Sequence, residues 1–299
     1  MSKQKWNSNN ISNQEGKTII ITGATSGLGK EATKILAGKN ATVVMAIRNT
    51  KKGESVAQEI KIAFPKAKID VRKLDLNSLK SVEAFADGIK ASYDRLDILI
   101  NNAGVMACPF SKTEDGFEIQ MGVNHLGHFA LTGHLMPLLK KTKASRIVAT
   151  SSVAHRQGDI NFDDVNWEER KYVTAKAYGD SKLANLYFAY ELARKFKDDS
   201  NAPTVTAAHP GWTSTDLQRH SLIFRVLNPI FSQNVENGAL PTLRAAIDDS
   251  AQSGDYYGPS GFMEIKGSPV VVKSNKMSQN EANAKRLWEL SEKLTSIRY

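Results

Sequence analysis

Cysteine is almost absent from the 299-residue sequence: Cys108 stands alone. That excludes an internal disulfide and a cysteine-rich metal site, and it fits a reducing compartment. No run of eighteen apolar residues occurs, and the first sixteen residues, MSKQKWNSNNISNQEG, lack the apolar stretch of a signal peptide. The expectation is a cytoplasmic protein with no stable membrane anchor. A Gly-x-Ser-x-Gly hydrolase turn is missing, as is a helical histidine pair with an intervening glutamate. His125, His128, His134, His155, His209 and His220 therefore suggest no metal site, and His125 and His128 read as helix packing. The formal charge of +9 is spread along the chain with no recognition motif beside it, so nucleic acid is not an expected partner. Internal repeats and low-complexity linkers are also lacking.

What is present reads as an ordinary folded α/β chain, with 41% hydrophobic and 24% charged residues. Short β-branched runs alternate with segments of helical periodicity. Strands are expected at 17–22, 41–47, about 67–74, 96–100, 146–150 and 204–208. Between them fall helices at 28–39, about 51–63, about 78–92, about 117–140 and about 178–196, with an amphipathic helix at 278–294 docking back on the core. Such alternation implies parallel strands joined by right-handed crossovers. The fold class is a doubly wound, Rossmann-type parallel sheet of about seven strands with helices on both faces. One domain, 17–299, follows a polar tail, 1–16. Within it, 153–177 reads as an insertion over one end of the sheet, and 212–233, apolar and broken by Pro229, as a segment covering a substrate.

Two stretches carry chemistry. Thr22-Gly23-Ala24-Thr25-Ser26-Gly27-Leu28-Gly29 joins the first strand to the first helix, where free N–H groups and the helix dipole favour a pyrophosphate. Its Gly-x-x-x-Gly-x-Gly spacing could serve tight packing, but its place between strand and helix points to dinucleotide binding. At the end of the second strand stands Arg48, with Lys51 and Lys52 near it and no acid, so NADP(H) is expected over NAD(H). Further on, Tyr178 and Lys182 lie four apart in a helical stretch and share a face. An ammonium beside a phenol favours phenolate and lowers a value that is ordinarily about 10.

The combination resembles the classical short-chain dehydrogenase/reductases, and within them the retinol dehydrogenase-like branch, over about 17–295. The matching pieces are TGATSGLG at 22–29, LDL at 74–76, NNAG at 101–104, VNHLGHF at 123–129, VATSSVAH at 148–155, YGDSK at 178–182, HPGWTST at 209–215 and AKRLWELSEKL at 284–294. The resemblance implies an oxidoreductase that moves a hydride between NADP(H) and a carbonyl or alcohol, with a fairly apolar small-molecule substrate. It implies Tyr178 as general acid in carbonyl reduction and Lys182 as the group that lowers the tyrosine pKa and holds the nicotinamide ribose. Ser152, rather than its neighbour Ser151, would polarise the substrate oxygen, and Asn124 would hold a water linking the lysine to solvent.

Cofactor contacts are implied in the same way. Gly23, Ser26, Gly27, Leu28 and Gly29 would surround the pyrophosphate, Asp75 and Leu76 the adenine, and Asn102, Ala103 and Gly104 the adenosine-ribose side. Pro210, Gly211, Thr213 and Thr215 would line the nicotinamide carboxamide. The branch does not fix the substrate, and the helices at 117–140 and 178–196 leave a homo-oligomer open. A catalytically silent NADP(H) sensor is the alternative function; a nucleotide-sugar epimerase fits less well, since its glycine turn is usually Gly-x-x-Gly-x-x-Gly.

Overall fold

The computed structural model describes residues 5–212 and 233–299. Its organisation begins with β1 (Thr18–Thr22), a strand buried along its whole length. Ile20 enters one core while Ile19 and Ile21 enter another, as the two-residue period of a strand requires. A strand apolar on both sides needs helices on both sides. The chain supplies them in order: α1 (Gly27–Gly38), β2 (Thr42–Ile47), α2 (Thr50–Ala63), β3 (Lys68–Lys73), α3 (Leu79–Ser92) and β4 (Ile98–Asn101). There follow α4 (Ile119–Met121), a π-helical turn (Gly122–Leu126), α5 (Gly127–Lys141), β5 (Arg146–Thr150), α6 (Thr174–Lys195) and β6 (Thr204–Ala208). The chain ends with α7 (Val235–Ile247), β7 (Tyr256–Pro259), β8 (Pro269–Val271) and α8 (Glu281–Thr295).

The strands form one sheet in the order β3-β2-β1-β4-β5-β6-β7-β8, parallel throughout except for the antiparallel pair β7-β8. Residues of α1, α2 and α7 pack on one face, and those of α3, α5, α6 and α8 on the other. The order reverses between β1 and β4, and an open parallel sheet binds ligands at the carboxyl ends of its strands at such a reversal. The glycine turn after β1 and the NNAG turn after β4 both lie there.

Several expectations change. Among the described residues the sheet has eight strands rather than about seven; the added edge strand β8 is short and begins with a proline, a residue confined to sheet edges. Helix α7 was not anticipated, since Gly238 and Pro241 interrupt its sequence pattern; Asn234 starts it by accepting from the N–H of Asn237 at 2.8 Å. The helix expected at 117–140 is broken by the π-turn. The N-terminal tail is part of the fold from Trp6 onward. Ile11 is 2% exposed within the core beneath β1, and the N–H of Gln14 donates to Lys39 O at 2.7 Å at the end of α1.

The C-terminus covers the outer faces of α5 and α6, the helices that sequence alone left open to subunit pairing. Trp288 packs against Phe129 (5.1 Å between ring centres), stacks on Phe188 (6.1 Å) and meets Tyr299 (4.7 Å). Gly133 makes this possible: a side chain there would collide with Ile297 and Tyr299. Among the described residues no helix is long and apolar enough to cross a membrane, and no cluster of three histidine, cysteine or acidic side chains is placed to hold a metal ion.

Candidate active site

The glycine turn is shaped by close approach. A Cβ on Gly23, which has φ +70°, would lie 2.9 Å from Ala103 Cα, and one on Gly29 would lie 2.5 Å from Gly23 O and 2.6 Å from Asn102 Nδ2. Packing therefore accounts for these two glycines, while Gly27 is required by its φ of +53°. Ser26 precedes α1 without capping it through its side chain, so the first N–H groups of the helix face the cleft. Such a cradle fits a pyrophosphate. Leu28 begins the helix beside it, and Arg48 is exposed at the carboxyl end of β2, where Asn49 caps α2 through the N–H of Lys52 at 3.0 Å.

Thr22 ties this turn to the next strand. Its hydroxyl oxygen accepts from the N–H groups of Asn102 (2.9 Å) and Ala103 (2.8 Å), and Asn102 Nδ2 donates to Thr22 O at 2.8 Å. With both lone pairs used, the Thr22 proton points to His128 Nε2 at 2.9 Å. His128 Nδ1–H then donates to Asn124 O at 3.0 Å. The imidazole is thus neutral and in one tautomer, and burial pushes its pKa down to about 4. Sequence reading assigned His128 to packing and missed this bridge between the two turns. The spacing of four from Asn124 is the signal that was available.

Asn124 sits within the π-turn, which Gly127 closes by donating its N–H to Gly122 O. A Cβ on Gly127 would lie 2.8 Å from Leu76 O, so the glycine lets α5 approach the 74–76 segment. The Asn124 amide is locked: Oδ1 accepts from the N–H of Val105 (2.7 Å), while Nδ2 donates to Val105 O (3.0 Å) and Ser181 Oγ (2.9 Å). Gly104 lies between Asn124 and Lys182; a Cβ there would be 2.9 Å from Asn124 Oδ1 and 3.5 Å from Lys182 Nζ. Asp75 accepts from the N–H of Asn77 at 3.0 Å in a tight turn, and Leu76 is buried beneath it.

Helix α6 brings the remaining groups. Lys182 is 4% exposed, its Nζ donates to Thr150 O at 3.2 Å, and burial lowers its pKa to about 8. Asn185 Nδ2 donates to the same carbonyl at 2.9 Å, a contact the sequence did not suggest. The two serines after β5 point different ways. Ser151 Oγ donates to Lys182 O at 2.8 Å, whereas Ser152 Oγ accepts from the N–H of Ala154 at 3.2 Å and lies beside the Tyr178 phenol. Two glycines permit that meeting. A Cβ on Gly158 would lie 2.7 Å from Gly179 O, and one on Gly179 would lie 3.0 Å from Ala154 O, so the turn Val153–Gln157 rests directly on α6.

One electrostatic expectation reverses. The Tyr178 phenol is pushed up to about 12 by desolvation, and the neighbouring Ser152 hydroxyl lowers it only in part. Lys182 Nζ lies 5.7 Å from the tyrosine ring centre and is turned to Thr150, so desolvation outweighs its field.

The 153–177 stretch closes over the neighbouring 105–121 segment. Tyr172 O–H donates to Glu118 Oε1 (2.8 Å), the N–H of Glu118 donates to Asn166 Oδ1 (3.0 Å), and Thr174 Oγ1 donates to Cys108 O (2.7 Å). Pro210 and Gly211 follow β6, with Gly211 at φ +67°. Of the expected cofactor contacts, Thr213 and Thr215 lie outside the described residues, as does nearly all of the 212–233 segment.

Comparison with known proteins agrees with this arrangement. The profile of the short chain dehydrogenase family matches residues 17–223. Human retinol dehydrogenase 12 is 43% identical over 290 residues, covering 95% of this chain and 88% of that protein; human retinol dehydrogenase 13 is 41% identical over 293 residues, covering 94% and 85%. A crystal structure of an uncharacterized protein from Mycobacterium paratuberculosis superposes with a TM-score of 0.84 at 39% identity, covering 99% of each chain. A short chain dehydrogenase from Shigella flexneri, solved in complex with NADP, gives 0.67 at 28% identity, with coverage of 82% and 97%. The sheet order, the glycine turn and the sequence match converge on one conclusion: this chain belongs to the short chain dehydrogenase family, in its retinol dehydrogenase-like branch.

Proposed function

We propose that this oxidoreductase transfers a hydride between NADP(H) and a carbonyl or alcohol group on a fairly apolar small molecule. The observation that carries the reading is the grouping of four side chains at the carboxyl ends of β4 and β5: Asn124 and Lys182 flank Gly104, the Tyr178 ring lies 5.7 Å from Lys182 Nζ, and Ser152 lies beside the Tyr178 phenol. A nicotinamide held in this cleft would supply the hydride in reduction and take it up in oxidation. Ser152 hydrogen-bonds the substrate oxygen, and Tyr178 delivers the proton in the reductive direction. A phenol held up to about 12 keeps its proton at neutral pH, which suits a donor. Lys182, lowered to about 8, still carries its charge there and stabilises the phenolate left after transfer. Asn124 fixes the Val105 backbone and Ser181, so the floor of the site is rigid before substrate arrives.

Gly23, Ser26, Gly27, Leu28 and Gly29 are assigned to the pyrophosphate, Asp75 and Leu76 to the adenine, Asn102, Ala103 and Gly104 to the adjoining ribose, and Pro210 and Gly211 to the carboxamide. Arg48 favours the 2′-phosphate of NADP(H); neighbouring structures solved with NADP and NADPH support that preference. We read 17–299 as one catalytic domain roofed by 153–177. The test is a panel of carbonyl compounds followed by NADPH absorbance, with Tyr178→Phe as the control. Turnover that Tyr178→Phe abolishes while NADPH still binds supports the reading. Tight NADPH binding with no turnover on any compound favours a redox sensor instead. Arg48→Asp is expected to weaken NADPH at least about tenfold, the loss of one charge-assisted contact; an unchanged dissociation constant sinks the NADP(H) assignment.

A further inference from the structure

Behind the Pro210–Gly211 turn lies a chain of charged groups that the reaction itself does not use. His209 has no exposed surface, and its Nδ1 accepts from the N–H of Gly211 at 3.2 Å. The proton of the neutral ring is therefore on Nε2, which lies 2.8 Å from Glu264 Oε2 in an electrostatic contact that is not aligned as a hydrogen bond. The other carboxylate oxygen, Oε1, lies 2.8 Å from Arg156 Nη2. Arg156 belongs to the turn Val153–Gln157, which Ser152 starts by accepting the N–H of Ala154. One carboxylate thus joins two loops that flank the proposed site.

The surroundings are built for this contact. A Cβ on Gly258 of β7 would overlap the His209 ring, so a glycine is needed opposite it. Glu264 and the preceding Met263 both adopt left-handed backbone, φ +58° and +52°, a strained conformation for residues other than glycine. The β7–β8 loop holds them there through Gly261 N–H to Lys266 O (3.0 Å) and Ser260 N–H to Ser268 O (2.9 Å). It also takes the N–H of Trp212 on Ile265 O at 2.8 Å. Strain kept beside a functional turn points to a role beyond loop closure.

We propose that Glu264 is a positioning residue that fixes the Nε2–H form of His209, and with it the Pro210–Gly211 turn, while anchoring the Ser152 turn through Arg156. The inference rests on the proposed function for its consequence, since that turn is assigned to the nicotinamide half of the cofactor. No neutral side chain serves both partners. In Glu264→Gln the amide oxygen replaces only one of the two carboxylate oxygens, and the amide NH2 group faces the other donor.

The experiment has two arms on the full chain. Hydrogen exchange reads the amides of 209–212 in Glu264→Ala and Glu264→Gln without any ligand; faster exchange there, with 22–29 unchanged, is expected. Binding then compares NADPH with adenosine 2′,5′-bisphosphate, which lacks the nicotinamide half. NADPH should weaken by about tenfold, the loss of a charge-assisted contact, while the fragment is unaffected. Unchanged exchange in a folded variant overturns the proposal, as does equal weakening of both ligands. If Glu264→Ala does not fold, Glu264→Gln decides alone. A wild-type protein that binds neither NADPH nor the fragment would refute the proposed function, and the exchange arm would still show whether Glu264 holds the turn.

Discussion

Acidification from pH 7.5 to pH 5 should cost this protein much of its stability, and the reason lies in three histidines that the fold keeps neutral. His125 Nε2–H donates to Ser291 Oγ at 2.8 Å, because the Ser291 proton is already given to Leu287 O; its Nδ1 is buried and unpartnered. His128 is held between Thr22 and Asn124. His155 Nδ1–H donates to Ser152 O at 2.6 Å, and its Nε2 is buried without a partner. Burial lowers the three to about 3, about 4 and about 4. A folded-state pKa below the unfolded value means stability that is complete above the unfolded pKa, near 6.5, and lost as pH falls toward the folded one.

At pH 5 each histidine is about 1.5 units below its unfolded value, a cost of about 2 kcal/mol apiece and about 6 kcal/mol together. Asp180 acts in the opposite sense. Burial raises it to about 6, so its penalty, greatest at neutral pH, is relieved by about 1.5 kcal/mol on going to pH 5. The net loss from these four groups is about 4 to 5 kcal/mol, a large share of the roughly 5–15 kcal/mol that holds most domains folded. Urea unfolding at the two pH values measures it directly. His125→Gln, whose amide can still reach Ser291, should show about 2 kcal/mol less pH dependence than the parent. An identical pH dependence in that variant would show that the buried imidazole is not the origin.

Two further outcomes follow from packing. Trp288→Ala removes the centre of the aromatic cluster that holds α8 on α5 and α6; a loss of about 3–5 kcal/mol in urea unfolding is expected, and less than about 1 kcal/mol would mean that the helix is held elsewhere. Gly158→Ala drives a methyl into Gly179 O and Leu183 Cβ and lifts the Ser152 turn from α6. It should lower kcat by about tenfold or more while leaving NADPH binding nearly unchanged, because a small misplacement of a reacting group costs rate before affinity; an unaltered kcat argues against that placement.

Sequence determined the alternation of strands and helices, the glycine turn after β1 and the pairing of Tyr178 with Lys182, because each rests on local periodicity or on residues close in the chain. It also separated Ser152 from Ser151 through resemblance; in the fold the two hydroxyls take different partners, the N–H of Ala154 for Ser152 and the Lys182 carbonyl for Ser151. Tertiary structure decided what depends on distant neighbours. The π-turn around Asn124 arises where Gly127 meets Leu76, fifty-one residues earlier in sequence. The bond between His128 and Thr22 and the shared carbonyl of Thr150 join segments that no local pattern connects. The tyrosine pKa is the clearest case. Spacing alone suggested a phenol lowered by its lysine, but how far each group is desolvated, and which carbonyl the ammonium faces, are properties of the assembled fold, and desolvation there outweighs the charge four residues away.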